Sequence, residues 1–359
     1  MWGRLSSLPC IRQVGMIDIY KPGWKACPTQ GIQIMKNSCV LFILSVIIVP
    51  ILPALGSATP LGLPDDFDPQ QLRDLGIYDF VTASEQGRSI GEMVLDIEGA
   101  PARAYEVLEN AVATCVFATD PKDNELATLK KVDSALFGAL GFSRGVPGTT
   151  FTEALMRKTL DCSDASLVFI TVGERAGRRW RAAMAPFHMF VAAPEGEWFI
   201  FWETQTGAPF DVYDMIAYHG LRQELIQAGV YLNAMSVRNH VAETYRNIGG
   251  ILVRKGQLSR AMAYLNKSLW LWPDHPPTLI WRGYALALAG DYAKAEADYL
   301  AALDIDPLDW VANYHLGVLY NRTGREEDGK ALIKVSEQYR PPNARWVLEE
   351  ALPYIREKY

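Results

Sequence analysis

Three side chains between Thr159 and Thr206 could together perform acyl transfer: the thiol of Cys162, the imidazole of His188 and the carboxylate of Glu203. A thiol attacks a carbonyl once a base takes its proton, and an acid that orients the base fixes the tautomer of the ring. Each member of such a set must be held at the edge of a regular element, rigid and still able to meet a substrate.

The surrounding sequence offers those elements. Cys162 stands where the polar run Asp161, Ser163 and Asp164 gives way to Ala165, Leu167, Val168, Phe169, Ile170 and Val172, and the apolar run ends at Ala176-Gly177. This pattern predicts a buried helix from about residue 162 with Gly177 in the C′ position. A thiol in a first helical turn faces unpaired N–H groups and the positive end of the macrodipole, which favours thiolate and predicts a free, partly exposed nucleophile. The charge of Asp161 opposes this unless its carboxylate caps the helix.

Residues 187 to 192 and 198 to 203 are short and rich in Phe, Trp, Ile and Val, and Pro194-Glu195-Gly196-Glu197 separates them. They predict a β-hairpin. A turn centred between Glu195 and Gly196 places His188 directly opposite Glu203, with β-carbons roughly 4.5 to 5.5 Å apart, within reach of a carboxylate–imidazole hydrogen bond.

Asp161-Cys162 at a helix start, Gly173-Glu174-Arg175-Ala176-Gly177 at its end, Phe187-His188-Met189-Phe190-Val191 and Trp202-Glu203-Thr204 come in the order thiol, imidazole, acid. In this the chain resembles the transglutaminase-like (papain-like) cysteine domain of bacteria, over residues 100 to 210. The resemblance implies an α+β domain of helices packed on a small antiparallel sheet. It also implies roles: Cys162 as nucleophile, His188 as general base and acid, Glu203 as the group that orients the imidazole. One position departs from the family, whose third member is usually Asp.

Other readings share these residues. A cysteine in an apolar helix also serves as a small core hydrophobe, and a Cys115–Cys162 disulfide would silence the thiol. Either would leave a catalytically inactive binding or scaffold domain. Cys162, His188 and Glu203 also fit zinc-ligand chemistry, but no metal-ligand spacing accompanies them. The acyl-transfer reading calls for no metal and no cofactor.

The 359 residues are 49% hydrophobic and 21% charged, the composition of a folded globular protein with room for two domains and a leader. A net charge of −6 without any basic run argues against nucleic acid as a partner. Residues 1 to 35 show no periodicity. Met35-Lys36-Asn37 then precedes an apolar run from Val40 to Leu55, interrupted by Pro50 and Pro53, and Gly56-Ser57-Ala58 follows. A basic flank, a short apolar core and a small-residue exit predict a secretory signal cleaved near Ala58, with translation starting at Met35. The run is shorter than the roughly 20 residues of a spanning helix, so membrane association through residues 40–55 is the alternative. Cleavage would leave Cys115 and Cys162 as the chain's cysteines, too few for a disulfide framework.

Helices are expected at Pro69 to Phe80, Pro101 to Ala113, Asn124 to Leu140, Asp211 to His219 and Leu221 to Gly229, with a loop from Gly141 to Gly148 bordering the site. Beyond them the sequence repeats with a period of 34: Gly249, Gly283 and Gly317; Gly256, Gly290 and Gly324; Pro273, Pro307 and Pro341; Ala261, Ala295 and Gly329; Leu265, Tyr299 and Ile333. Small residues at these places, followed by the proline, resemble the tetratricopeptide repeat, a pair of antiparallel helices. Asn313 and Gly329 make the third copy degenerate. That resemblance implies an all-α solenoid whose groove takes a protein or peptide partner.

The expected organisation is therefore a leader at 1–58, a transglutaminase-like domain at 59–210, a helical connector at 211–241, three repeats at 242–343 and a capping helix at 344–359. The expected function is an exported cysteine acyl-transfer enzyme, periplasmic or of the cell envelope, whose repeats recruit a protein or peptide substrate.

Overall fold

A computed structural model of the chain describes residues 67–341, apart from positions 146, 147, 187, 197, 211–219 and 228. The expected leader, the capping helix and the helix at 211–219 lie outside the described residues.

The first part is α+β. Helices α1 (Pro69–Asp74), α2 (Phe80–Glu85), α3 (Ile90–Glu98), α4 (Ala102–Phe117) and α5 (Glu125–Asp133) precede β1 (Ser143–Arg144), α6 (Phe151–Arg157), β2 (Thr159–Leu160) and α7 (Cys162–Arg175). Strands β3 (Arg181–Ala185), β4 (His188–Glu195), β5 (Trp198–Glu203) and β6 (Ala208–Phe210) form one antiparallel sheet in that order, and β1 and β2 form a short parallel pair. Helix α7 packs across β4 and against α3 and α4. Buried side chains run along its whole length, from Cys162 through Phe169 to Gly173, so it is the central helix of the core.

The expected helix from Pro69 to Phe80 shortens to α1, and the unexpected α2 begins only at Phe80. The chain breaks at Gly76, whose φ of +62° is left-handed, and Asp79 caps α2 by accepting from the Thr82 N–H at 3.0 Å. Helices α3 and α6 and strands β1, β2, β3 and β6 were not expected. The expected helix at 221–229 shortens to α8 (Gln223–Gln227), and the one at 124–140 ends in a π-helical turn, Ser134–Ala139.

After α8 the chain runs along the outer edge of β3, where Leu232 N–H donates to Met184 O at 2.9 Å and Met235 N–H to Ala182 O at 2.8 Å. Six helices then form three antiparallel pairs: α9 (Val237–Arg254) with α10 (Leu258–Leu271), α11 (Pro276–Leu288) with α12 (Tyr292–Ile305), and α13 (Trp310–Arg322) with α14 (Glu326–Tyr339).

The 34-residue columns are the contact points of these pairs. A Cβ on Gly249 would lie 2.7 Å from Leu265 Cγ, one on Gly283 2.7 Å from Tyr299 Cε1, and one on Gly317 2.8 Å from Ile333 Cγ1. Each glycine thus admits the residue sixteen places on, itself a member of a repeating column. The third copy departs from the pattern without losing its packing. Gly329 meets Asn321 and the Gly317 carbonyl so closely that a Cβ would have no room, and buried Asn313 donates to Asp309 O at 2.8 Å and Pro307 O at 3.1 Å.

The first pair is anchored on the α+β part. Tyr78 N–H donates to the Tyr245 hydroxyl at 2.7 Å, α9 packs on α3, and Val237, Val241, Ala242 and Tyr245 share a core with α7 and β4.

Candidate functional site

Helix α7 starts at Cys162 because Asp161 caps it. The Asp161 carboxylate accepts from Asp164 N–H and from Ser163 Oγ, both at 2.9 Å, and Asp164 returns the bond to Asp161 N–H at 3.3 Å. This reciprocal capping box points the Asp161 charge along the backbone. At the other end Gly177, at φ +71°, donates to Glu174 O at 3.2 Å and Arg178 to Gly173 O at 2.7 Å, a Schellman closure. Cys162 is therefore at a fixed helix start.

His188 opens β4 and hydrogen-bonds both Cys162 and Glu203. Its Nε2 meets Glu203 Oε2. The other Glu203 oxygen accepts from Gln205 N–H at 2.8 Å, so neither end of the carboxylate is loose. Burial works against a charged ring, but the bonds to Cys162 and Glu203 outweigh it and raise the His188 pKa to about 10.

The expected register is corrected. Val191 faces Trp202 and Glu195 faces Trp198, so the hairpin turns one residue later than a turn centred between Glu195 and Gly196, with Gly196 at φ +63°. Every pairing moves by two residues and His188 is not directly opposite Glu203. An even shift keeps both side chains on the same face of the sheet, and diagonal neighbours remain within reach of a long side chain.

The expected partial exposure of the thiol is also corrected: Cys162 is buried, at 8% exposure. Cys115 and Cys162 are both free thiols. Cys115 lies inside the core, its sulfur 3.8 Å from Val132 O, and burial pushes its pKa up to about 12. Among the described residues no group of three or more His, Cys, Asp or Glu side chains is arranged to hold a metal.

Cys162 and His188 line a cavity of about 170 Å³ whose opposite wall is made by α9, α11 and α13, the first helices of the three pairs. Gly148 and Thr149 also line it, so the expected Gly141 to Gly148 loop reaches the site. Asn247, Trp281 and His315 contribute to the repeat side. They sit 34 residues apart and form a column of their own. These groove residues differ from one copy to the next, unlike the columns of like residues that mark the helix crossings. Position within the period was the available signal.

Two carboxyls at the cavity floor are fully used. Glu98 accepts from Phe151 N–H at 2.9 Å, Thr152 N–H at 2.7 Å and the Thr152 hydroxyl at 2.6 Å, and burial raises its pKa from the ordinary glutamate value. Burial, and then the charge of Asp161, push the pKa of the Asp164 carboxyl well above the ordinary aspartate value.

A family profile described as tetratricopeptide repeat matches residues 276–309, the span of α11, α12 and the turn that follows. Over 97 residues, 27% of its length, the chain is 31% identical to a curated Arabidopsis thaliana protein named TPR repeat-containing thioredoxin TTL4, and it spans 14% of that relative. Among solved structures, one titled Crystal structure of MamA is 17% identical, with 29% of this chain and 68% of that one covered at a TM-score of 0.26. A second, titled CopN-Scc3 complex, is 14% identical, with 40% and 76% covered at a TM-score of 0.27. The chain is mostly helical, with small sheets and a C-terminal helical repeat region that contains a tetratricopeptide repeat at residues 276–309.

Proposed function

We propose that the chain is a transglutaminase-like cysteine acyl-transfer enzyme that takes its substrate from a groove of tetratricopeptide repeats. The observation that carries this reading is His188 hydrogen-bonded between Cys162 and Glu203 at the wall of a cavity completed by the repeat helices. Repeats of this family mediate protein–protein interaction, which supports a protein or peptide as the partner.

In the proposed reaction the Cys162 sulfur attacks an amide carbonyl carbon, and the carbonyl π electrons move to oxygen. The oxyanion faces the first turn of α7, where the Asp161 cap engages Asp164 N–H and leaves the Cys162 N–H available as a donor. Collapse of the intermediate breaks the C–N bond, and the leaving amine takes its proton from the His188 imidazolium. The thioester then yields to water, giving an acid, or to an amine, giving a new amide. His188 takes the proton of the attacking group, and Glu203 holds the ring throughout.

Incubation with p-nitrophenyl acetate tests this by intact-protein and peptide mass spectrometry. An acetyl group on Cys162 that disappears on adding an amine, with the amine acetylated, is the expected result. No adduct at Cys162 would end the catalytic reading. It would favour a second one, a binding protein without turnover, for which the depth of the thiol at 8% exposure is the supporting observation.

The proposal extends to location. The apolar run at 40–55 and the small residues before Ala58 support export to the periplasm or cell envelope, and N-terminal sequencing of the protein from its native host tests it. Among the described residues no helix is long and apolar enough to cross a membrane.

A further inference from the structure

The wall of the Cys162 cavity contains a cation that forms no ion pair among the described residues and meets the charge of Asp161 only at longer range. Arg254 is the last residue of α9 and lines the cavity. Its guanidinium lies over the Trp281 ring, 5.7 Å from the centroid. Its Nη2 lies 3.9 Å from where a Cβ on Gly148 would be, so the guanidinium borders the loop at that residue. Stacking on Trp281 occupies a face of the guanidinium and leaves its in-plane N–H groups free to donate. Among the described residues Arg254 forms no ion pair, and none of its N–H groups donates a hydrogen bond.

Carboxylates are present in the same cavity, but each is committed elsewhere. Glu243 takes Arg246, accepting from its Nε at 3.0 Å and from Nη2. Asp161 caps α7, Asp164 completes the same capping box, and Glu98 holds the start of α6. Arg246 lies eight residues before Arg254, about 12 Å along the same helix, so Glu243 neutralises the first arginine and leaves the second. Burial, and then the charge of Arg246, lower the Arg254 pKa from the ordinary arginine value, and the charge of Asp161 offsets them only in part.

We infer that Arg254, stacked on Trp281, is an anion-recognition subsite of the cavity, and that the acyl substrate carries a carboxylate separated by a spacer from the carbonyl that Cys162 attacks. The substrate class is an acidic peptide, with the carboxylate supplied by an Asp or Glu side chain or by the chain terminus. The word substrate rests on the catalytic reading of Cys162, whereas the anion subsite does not. The proposed complex is a guanidinium–carboxylate pair with two parallel N–H···O bonds in a partly desolvated pocket.

The test uses the full chain and a series of N-iodoacetyl ω-amino acids, from glycine to 6-aminohexanoate, each paired with its primary amide. All carry the same electrophile, so the acid-to-amide ratio of alkylation rates at Cys162 cancels the reactivity of the thiol. The ratio is expected to peak at one tether length, about tenfold above its value for the shortest acid, the scale of one hydrogen-bonded charge. The peak in the ratio should vanish in Arg254→Gln and return in part in Arg254→Lys. A ratio that is flat with length, or a peak that survives Arg254→Gln, overturns the subsite. If Cys162 proves unreactive towards every amide, the catalytic reading fails and the subsite is judged separately. Thermal stabilisation of Cys162→Ala by N-acetyl-6-aminohexanoate, N-acetyl-4-aminobutyrate or N-acetylglycine, and not by their amides, must then be seen and be lost on adding Arg254→Gln. No such stabilisation by any acid overturns the subsite.

Discussion

Glu203 meets His188 from the diagonal position of the β4–β5 ladder, and its carboxylate is held at both oxygens, by His188 Nε2 and by Gln205 N–H. A diagonal pair spans more distance than a direct one. The extra methylene of Glu over Asp provides reach across that gap, as the shifted register requires.

That geometry predicts the effect of shortening the acid. Glu203→Asp is expected to lose the bond to Nε2, and Glu203→Gln to keep a hydrogen bond but lose its charge. Both should lower the His188 pKa from about 10 towards 6.5, read by the ring-proton NMR shifts against pH. An unchanged titration in both variants would show that Glu203 does not hold the ring.

The sign of the linked pH dependence follows. A ring whose pKa is raised on folding stabilises the fold fully below its unfolded value near 6.5, and this contribution fades as pH rises towards about 10. Denaturant titrations should therefore show the parent losing stability between these limits more steeply than His188→Gln. Parallel profiles for the two proteins would contradict the raised pKa.

The two thiols should react at different rates. Burial holds the Cys115 pKa near 12, whereas Cys162 borders the cavity beside a protonated ring. Iodoacetamide at pH 7 is expected to label Cys162 first in the native protein and both cysteines after denaturation, by peptide mapping. His188→Ala should slow the labelling of Cys162 by about tenfold or more through loss of the cationic partner. Equal native rates at the two sites would count against the assignment.

A buried acid away from the site gives an independent check. Glu174 in α7 accepts from Ile90 N–H at 3.1 Å, and burial raises its pKa to about 7. The parent should lose stability as pH rises from about 4.5 to 7 and then level off, because the unfolded chain releases this proton first. Glu174→Gln keeps an acceptor for Ile90 and carries no charge. It is expected to exceed the parent by up to about 3 kcal/mol at pH 8, with the gap closing below pH 5. A gap that does not vary with pH would refute the shifted carboxyl.

The helix crossings are testable at Gly283. A methyl group there would lie 2.7 Å from Tyr299 Cε1 and 2.9 Å from Cδ1, closer than van der Waals contact allows. Gly283→Ala should cost about 1 to 3 kcal/mol, measured by urea unfolding, with a larger loss for Gly283→Val. An alanine variant as stable as the parent would mean that the crossing relaxes.

Several features of this protein could be read from residues alone because they depend on local or periodic chemistry. The 34-residue columns marked the helix pairs, since small residues recur wherever two helices cross closely. Asp161 and Gly177 bounded α7 through capping and left-handed termination, both of which act within a few residues. The alternation of β4 and β5 placed His188 and Glu203 on one face, and side-chain parity survives an even error in register. The turn position itself was not legible, because Pro194-Glu195-Gly196-Glu197 accommodates a turn at either place and long-range packing of β4 on α7 selects one. Strand β3 was missed because its Ala-rich sequence becomes a strand only when paired with β4 and lined by the chain at 232–235. The depth of Cys162, the free charge of Arg254 and the union of the cysteine site with the repeat groove belong to tertiary structure. They arise where α9 folds back onto α3, a contact between segments more than a hundred residues apart that no local pattern encodes.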